Sequence, residues 1–299
     1  SFVMEAARKY FSLKRFKTPK LKNYIYDLAI LVDPNEDTPP SDKTALKLFE
    51  KAAQEIGFYV EFITKKDYRR LTEFDALFIR ETTSVNNHTY DFARYAYSEG
   101  LALIDDPWSI LKCSNKVFLY ERMKKHNIPM PKTFVITQTN INHYLSLNHT
   151  FPMILKQPDS AFSKGVFKVE NHKDFTQKAK HLLKTSQLII AQEFMETSYD
   201  WRIGILNNKP IFACKYFMVQ GHWQIMDWNQ AQVQDGNSTT HYIDDVPQQV
   251  IDIAIKASSL IGNALYGVDI KEINGNAYLI ERSSTSVIKG FTLPNSDSS

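Results

Sequence analysis

Strands and helices alternate over residues 26–104. Short apolar runs typical of strands are separated by segments with helical spacing or by polar turns. Because strands that alternate with helices pair in parallel and are covered on both faces, this alternation strongly constrains the fold. It predicts a small α/β domain with a parallel sheet. The predicted strands are Leu28–Val32, Tyr59–Ile63, Ala76–Arg80 and Leu101–Ile104, and the predicted helices are Asp42–Ile56 and Tyr90–Ser98.

A polar loop follows the third predicted strand. Arg80 ends that strand, and the segment Glu81–His88 carries no apolar side chain except Val85. Open α/β sheets bind ligands at the carboxyl ends of their strands, so the loop is a candidate substrate site in which Arg80 pairs with a carboxylate. The alternative, that Arg80 forms a structural ion pair beside a solvated loop, stays open on the sequence.

A second constraint is a hairpin-like stretch within residues 151–193. The apolar run Met153–Leu155 is followed by Lys156, and a loop of small residues ending at Gly165 leads into a second run, Val166–Val169. Small side chains and a glycine allow backbone N–H groups to approach an anion, and the lysine adds positive charge. The stretch predicts a phosphate site, with a surface hairpin and two solvated lysines as the alternative.

The rest of the chain predicts a second, larger region of strands and helices. Its last third has the pattern of an antiparallel sheet. Three helices are predicted: one with Ser114 as its N-cap that ends near His126, one over Asp174–Thr185 and one over Pro247–Ile261. Residues 139–149 are predicted as a polar helix or loop, and Asn229–His241 as a loop. The predicted strands are Thr133–Ile136, Leu188–Ala191, Trp201–Leu206, Pro210–Met218, Trp223–Trp228, Tyr266–Ile270 and Ala277–Ile280.

Composition excludes several classes of protein. The 299 residues are 43% hydrophobic and 23% charged, as in globular proteins with two or three domains. A net charge of +3 gives no reason to expect nucleic acid as a partner. Two cysteines, Cys113 and Cys214, cannot form a zinc framework, and a disulfide scaffold is not expected. Because no apolar run approaches the roughly 18 residues of a membrane span, we expect a cytoplasmic protein without membrane contact.

Residues 1–23 have apolar side chains at helical spacing followed by a basic segment. They predict an amphipathic arm that packs on its own protein or, alternatively, binds a membrane or a partner. Because the pattern begins abruptly at Ser1, a preceding segment is expected.

A further series of motifs follows the Lys156 loop in a fixed order. The series continues through Gln192-Glu193-Phe194, Asp200-Trp201-Arg202, Lys215, Gly267–Lys271 and Tyr278–Glu281. Between Tyr26 and Glu281, this order resembles the ATP-grasp ligases, specifically the RimK-like branch that joins glutamate to peptide or protein termini. The resemblance implies an α/β (α+β) chain with an ATP-grasp fold behind a pre-ATP-grasp parallel α/β domain. The implied divisions are 24–112 for that domain, 113–190 for a central subdomain and 191–299 for a C-terminal subdomain.

The resemblance also implies roles for individual residues. The nucleotide-binding set is Lys116, Lys156 and Lys215 on the phosphates, Ser160, Ser163, Lys164 and Gly165 in a covering loop, Gln192, Glu193 and Phe194 around adenine, and Asp200 on the ribose. Arg202 and Lys215 are the implied catalytic residues, with Arg202 binding a substrate carboxylate or the acyl phosphate. The implied magnesium ligands are Asp269, Glu281 and Ser283. Judged without the resemblance, Lys116 could be a solvated lysine, and Asp269 and Glu281 a solvated strand face.

The implied activity is an ADP-forming, ATP- and Mg²⁺-dependent carboxylate–amine ligase. It would act through an acyl phosphate on an amino-acid donor, glutamate, and a peptide or protein acceptor; whether it forms a homo-oligomer stays open. The chain departs from the family pattern after Glu281, because Ser283 stands where an asparagine is expected and Lys289–Ser299 lacks the acidic continuation. The alternatives are therefore a nucleotide-binding but catalytically impaired protein with a regulatory or binding role, and a partner-binding domain that binds no nucleotide.

Overall fold

The computed structural model describes residues 24–147, 149–158, 165–219, 223, 226–227, 234–235 and 237–283, with backbone only for residues 226–227, 234–235 and 282–283. These residues divide into two compact units. Unit 1 contains residues 24–82 and 86–107, and unit 2 contains residues 83–85 and 108–283. The predicted arm, residues 1–23, lies outside the described residues.

Unit 1 is built on a four-stranded sheet in the order β2-β1-β3-β4, and each neighbouring pair is parallel. The prediction of a parallel sheet is confirmed. Its strands are β1 (Tyr26–Leu31), β2 (Phe58–Ile63), β3 (Ala76–Ile79) and β4 (Ala102–Ile104), and its helices are α1 (Lys43–Glu55), a 3₁₀ helix (Lys65–Glu73) and α2 (His88–Ser98). Asp42 caps α1 by accepting a hydrogen bond from Ala45 N, and Asn87 caps α2 by accepting one from Thr89 N.

The Arg80 side chain is bound inside unit 1. It is only 2% exposed, and its guanidinium donates to Ser41 Oγ at 2.9 Å and to the Pro40 carbonyl at 2.8 Å. Burial lowers the pKa of Arg80 to about 10, although the charges of Asp105 and Glu36 oppose that change. The structure therefore favours the structural interpretation of Arg80 over a role in carboxylate binding.

Unit 2 begins with helices and a small antiparallel sheet in the order β5-β8-β6-β7. The predicted hairpin is confirmed, because β6 and β7 pair antiparallel from Met153↔Val169 to Lys156↔Val166. The strands are β5 (Thr133–Thr137), β6 (Met153–Lys156), β7 (Val166–Val169) and β8 (Leu188–Glu193), and the helices are α3 (Pro107–Cys113), which begins in unit 1, α4 (Lys116–Lys125), α5 (Ile141–Ser146) and α6 (His172–Leu182).

The larger sheet of unit 2 is antiparallel and has the order β13-β10-β9-β14-β15. One face packs on helix α7 in a single core cluster, in which Trp201, Ile203 and Ile270 join Val250 and Ala254. The elements are β9 (Tyr199–Leu206), β10 (Lys209–Phe217), a separate pair β11 (Met226–Asp227) and β12 (Gln234–Asp235), β13 (Ser238–His241), a 3₁₀ helix (Ile243–Asp245), α7 (Gln248–Ser259), β14 (Leu265–Ile273) and β15 (Asn276–Ser283). No described helix is both long and apolar enough to cross a membrane.

Several local predictions were wrong. Ser238–His241, predicted as loop, is the edge strand β13 because its residues pair with β10 from Ala213 to Tyr216. The 3₁₀ helix at Lys65–Glu73 and the helix α3 were not predicted. The N-cap of α4 is Asn115 and not Ser114, since Asn115 Oδ1 accepts from the N–H groups of Val117 and Phe118. This cap makes Lys116 the first residue of α4.

The close approach of β9 and β10 depends on a glycine. Gly204 is the register partner of Phe212, and an alanine Cβ at position 204 would lie 2.1 Å from the Phe212 ring. We expect Gly204→Ala to lower the free energy of unfolding by about 1–3 kcal/mol, measured by urea denaturation, because an overpacked site forces a shift of the ring or the backbone. Gly204→Ala with Phe212→Leu should recover part of the loss. A single variant as stable as the parent chain would contradict the close packing.

Candidate active site

Three charged side chains lie in one row across the larger sheet. Arg202 on β9 is the register partner of Asp269 on β14, and Asp269 is the register partner of Glu281 on β15. Residues directly opposite each other on antiparallel strands point to the same face. The face of this row is opposite to Trp201 and Ile270, which pack toward α7, so one face of the sheet is apolar and the other is charged.

A β-bulge in the β14–β15 pair sets the direction of Glu281. Asp269 pairs with Glu281, whereas the next residue, Ile270, pairs with Leu279, so Ile280 is an extra residue on β15. Residues 279 and 281 would share a face in a regular strand, but Leu279 is buried in the core cluster. The bulge therefore allows Leu279 to enter the core while Glu281 joins Asp269 on the charged face.

Each carboxylate of this row has a positively charged partner. Arg202 donates from Nε to Asp269 Oδ1 at 2.7 Å and from Nη2 to Oδ2 at 2.6 Å, which is a bidentate pair. Lys116 Nζ lies 3.2 Å from Glu281 Oε1. Burial acts to raise the pKa of Glu281, but the charges of Lys116 and Lys156 hold it below its ordinary value. The two lysines thus favour the ionised form of Glu281.

Lys156 is a buried ammonium with spare hydrogen-bonding capacity. Lys156 is 7% exposed. Its Nζ donates to Gln192 Oε1 at 3.0 Å, and this is the one hydrogen bond that Nζ makes to the described residues. Gln192 is fixed in turn, because its Nε2 donates to Thr133 Oγ1 at 3.0 Å. Burial, reinforced by Lys116 and opposed by Glu281, lowers the pKa of Lys156. An ammonium carries three donors, so a further anionic partner would stabilise the charged form.

Lys116, Lys156, Gln192 and Glu281 line one cavity of unit 2 together with several apolar side chains. The free volume is about 50 Å³, which is room for one or two water molecules, so a nucleotide can enter only if lining side chains move. Apolar side chains together with lysines suit a molecule that has both a flat base and phosphates. The polar lining residues are Lys116, Lys156, Gln192, Thr133, Tyr120 and Glu281, and the apolar ones are Leu119, Met123, Met130, Ile190, Leu279 and Ile280.

The structure does not bring Lys215 to this cavity. Lys215 is the register partner of Trp201, so it lies on the face of the sheet opposite to Arg202. Its Nζ lies 4.1 Å from the ring centre of Tyr199 and 4.6 Å from that of Trp201, where it makes cation–π contacts. The grouping of Lys215 with Lys116 and Lys156 is therefore corrected, because strand alternation directs the side chain the other way.

Asp200 is engaged in a buried ion pair. Lys271 Nζ lies 2.6 Å from Asp200 Oδ1, and the Thr197 hydroxyl donates to the same oxygen at 3.1 Å. Burial raises the pKa of Asp200, with Lys271 opposing the change. No role was predicted for Lys271. The missed signal was its spacing of two residues from Asp269 on β14, which places both side chains on one face.

The side chains of the three residues predicted around adenine make contacts in different places. Gln192 lines the cavity, but Glu193 Oε2 accepts from Lys132 N at 3.3 Å, and the Phe194 ring lies under Lys168 Nζ at 4.4 Å. Gly165 has φ +73°, a left-handed conformation that glycine adopts without strain. The other predicted loop residues, Ser160, Ser163 and Lys164, lie outside the described residues.

The carboxylate pair fits a magnesium ion that phosphates help to hold. Within the part of the chain that the structure describes, no group of three or more His, Cys, Asp and Glu side chains could hold a metal ion. Mg²⁺ in nucleotide sites is, however, commonly bound by one or two carboxylates together with phosphate oxygens. Asp269 and Glu281 supply two such ligands on one face. Ser283 is the register partner of Gly267 on the same strand pair, and its side chain lies outside the described residues.

Comparison with solved structures places the fold of the chain in a known class. The chain is similar to D-cycloserine synthetase DcsG, with 14% identity and a TM-score of 0.66 over 87% of this chain and 93% of that one. It is also similar to a RimK domain ATP-grasp protein from Sphaerobacter thermophilus, with 13% identity and a TM-score of 0.63 over 87% and 91% of the two chains. The unit 1 and unit 2 architecture is the ATP-grasp fold, as predicted.

A family model described as the RimK-like ATP-grasp domain matches residues 113–294, more than half of the chain. The chain therefore belongs to the RimK-like ATP-grasp family of carboxylate–amine ligases. Among its relatives, the alpha-aminoadipate–LysW ligase LysX of Saccharolobus solfataricus is 24% identical over 76% of this chain and 83% of the relative. The coenzyme gamma-F420-2:alpha-L-glutamate ligase of Methanocaldococcus jannaschii is 23% identical over 68% and 69%. Enzymes of this family use ATP, and Mg²⁺ is typical of the fold.

Proposed function

We propose that this protein is an ADP-forming ligase that joins an amino acid, glutamate, to the carboxyl end of a peptide or protein through an acyl phosphate. The observation that carries the proposal is the buried Lys156 ammonium, which lies beside Lys116 and Glu281 and makes one hydrogen bond to the described residues. A buried cation with unused donors is costly unless an anion joins it. A triphosphate supplies that anion.

The residues of the charged face and the two lysines of the cavity support the first half of the reaction. The acceptor carboxylate attacks the γ-phosphorus, the bond to the bridging oxygen breaks, and ADP leaves. Lys116 and Lys156 would bind and orient the phosphates, and Arg202 would hold the acceptor carboxylate and then the acyl phosphate. When bound by Asp269 and Glu281, Mg²⁺ supplies neutralisation of the phosphate charge.

The second half of the reaction forms the amide bond. The amino group of the incoming amino acid attacks the acyl carbon, a proton leaves the nitrogen, and inorganic phosphate departs. This half needs no serine or cysteine nucleophile, and none of the described residues that line the cavity is a serine or a cysteine. The names of the relatives, an aminoadipate ligase and a glutamate ligase, support an acidic amino acid as substrate.

The ion pairs of the charged face predict that Arg202 competes with a bare divalent cation. Arg202 occupies both oxygens of Asp269. In Arg202→Gln, we expect Mn²⁺ binding without nucleotide to tighten on the order of fivefold, since Asp269 is released, while ADP release with ATP and substrates falls. Electron paramagnetic resonance titration of free Mn²⁺ measures the first effect. Arg70→Gln, which removes an arginine paired with Glu61 in unit 1, is the control. Equal Mn²⁺ binding in all three proteins would contradict the competition.

The departure at Ser283 supports a second candidate function, a nucleotide-binding protein with impaired catalysis. A hydroxyl is a weaker magnesium ligand than the amide oxygen of asparagine. ADP release should be measured with Mg²⁺, acidic amino acids and peptide acceptors. Release that depends on both substrates supports the ligase. Tight ATP binding without ADP release, with release restored by Ser283→Asn, would instead support the impaired protein.

A further inference from the structure

Acidic residues follow two adjacent strands of unit 1. In the sheet order β2-β1-β3-β4, the chain leaves β1 toward β2 on one side and leaves β3 toward β4 on the other. The point between β1 and β3 is therefore a topological switch point, where open α/β sheets bind ligands at the carboxyl ends of the strands. Asp33 and Glu36 follow β1, and Glu81 follows β3. A ligand at this point would meet carboxylates.

Glu81 has a buried oxygen that lacks a donor. The residue is 3% exposed, and its Oε2 lies 2.5 Å from His88 Nε2. Among the described residues, no group donates a hydrogen bond to Oε1, which is itself buried. Burial raises the pKa of Glu81; His88 opposes the change, and Asp33 and Glu36 add to it. An unpaired buried carboxylate oxygen is costly, and a positively charged N–H donor would remove the cost.

The neighbouring groups leave an excess of negative charge. Glu36 accepts hydrogen bonds from the backbone N–H and the hydroxyl of Thr82, and Asp33 Oδ1 accepts from Asn35 N at 2.9 Å. These donors are neutral. The Arg80 guanidinium interacts electrostatically with Glu36, but its described hydrogen bonds go to Ser41 and Pro40. Asp33 and Glu36 thus interact electrostatically with Glu81, and Arg80 and His88 are the basic side chains beside them.

The unpartnered Glu81 oxygen and its two neighbouring carboxylates suit an organic cation that carries N–H donors. A primary ammonium can direct its three N–H donors to three separate acceptors. We propose that Glu81, together with Asp33 and Glu36, binds the primary ammonium of the amino-acid or peptide substrate, an inference that rests on the ligase function proposed above.

Matched pairs of ligands test the ammonium directly. Calorimetry on the full chain compares L-glutamate with glutarate and L-2-aminoadipate with adipate, which differ by the amino group. We expect the amine of at least one pair to bind about tenfold tighter than its partner, as a charge-assisted hydrogen bond predicts. Glu81→Gln should remove this preference. Asp33→Asn, which retains the acceptor for Asn35 N, should reduce it about threefold. Glu99→Gln, an exposed carboxylate at the end of α2, is the control and should leave it unchanged.

Two results would overturn the inference: no amine preference in the parent chain, or a full preference in Glu81→Gln. Thermal unfolding shows whether Glu81→Gln is folded. If it is not folded, Asp33→Asn provides the test: a reduced amine preference supports the inference, and a full preference contradicts it. Binding of the ATP analogue AMP-PNP with Mg²⁺ is measured on the same samples. A chain that binds the nucleotide without an amine preference refutes the ammonium site alone. A chain with a Glu81-dependent preference that binds no nucleotide refutes the ligase proposal alone.

Discussion

Lys156→Met is expected to weaken the binding of Mg²⁺–AMP-PNP by about 100-fold, because a buried charge-assisted contact to phosphate contributes about 3 kcal/mol. Methionine retains most of the apolar stem and removes only the charge and the donors. The side chain is buried against Gln192 and next to Lys116, so solvent offers no substitute cation at that place. Isothermal titration calorimetry at fixed ionic strength measures the effect.

Lys215→Met is the matched control for this substitution. Lys215 lies on β10 of the larger sheet, on the face opposite to Arg202 and over the rings of Tyr199 and Trp201. Its loss is expected to change nucleotide affinity by less than about threefold, because surface and cation–π contacts contribute about 1 kcal/mol or less. Equal losses in the two variants, or a larger loss for Lys215→Met, would show that the face of the sheet has been wrongly assigned.

Glu281→Gln is expected to lower the rate of ADP release by about 100-fold or more at low Mg²⁺, with partial recovery as Mg²⁺ is raised. Glutamine has the same shape as glutamate but replaces an anionic metal ligand with a neutral one, and it also ends the ion pair with Lys116. Steady-state ADP release over a range of Mg²⁺ concentrations gives both the rate and the metal dependence.

Glu272→Gln is the matched control for Glu281→Gln. It tests whether the change in metal dependence requires the position of Glu281 or follows from the loss of any carboxylate on β14 or β15. Glu272 lies on the apolar side, where its Oε2 accepts from the Tyr199 hydroxyl and from Trp201 Nε1, and an amide oxygen can still accept there. We expect its metal dependence to match that of the parent chain. A rate for Glu281→Gln that is unchanged at every Mg²⁺ concentration would exclude this carboxylate as a metal ligand.

Local patterns were sufficient to predict much of the fold. Strand and helix alternation over residues 26–104 predicted the parallel sheet, and the apolar runs around Lys156 predicted the β6–β7 hairpin. Both features could be predicted because they follow from the order of apolar and polar residues within short segments of the chain. The ordered motif series added the ATP-grasp fold, which periodicity alone could not supply, because an order of strands in space is not encoded by spacing within one strand.

The site could be predicted only in part, because the face of the sheet to which a side chain points depends on strand register and bulges. No local pattern indicated the bulge at Ile280 that turns Glu281 toward Asp269. The alternation of β10 places Lys215 on the face opposite to the one that the motif order suggested. The partner of Asp269 could not be identified either, since Arg202 lies 67 positions away and meets it only after β9 and β14 pair.

A crystal structure of the protein with AMP-PNP and Mg²⁺ tests the central claim most directly, namely that the charged face of the larger sheet binds a magnesium nucleotide. The predicted result is phosphate oxygens within hydrogen-bond distance of Lys116 and Lys156 Nζ, and Mg²⁺ bound by carboxylate oxygens of Asp269 and Glu281, at about 2.1 Å. A nucleotide bound on the Lys215 face, or one bound in the cavity without Mg²⁺ on either carboxylate, would contradict it.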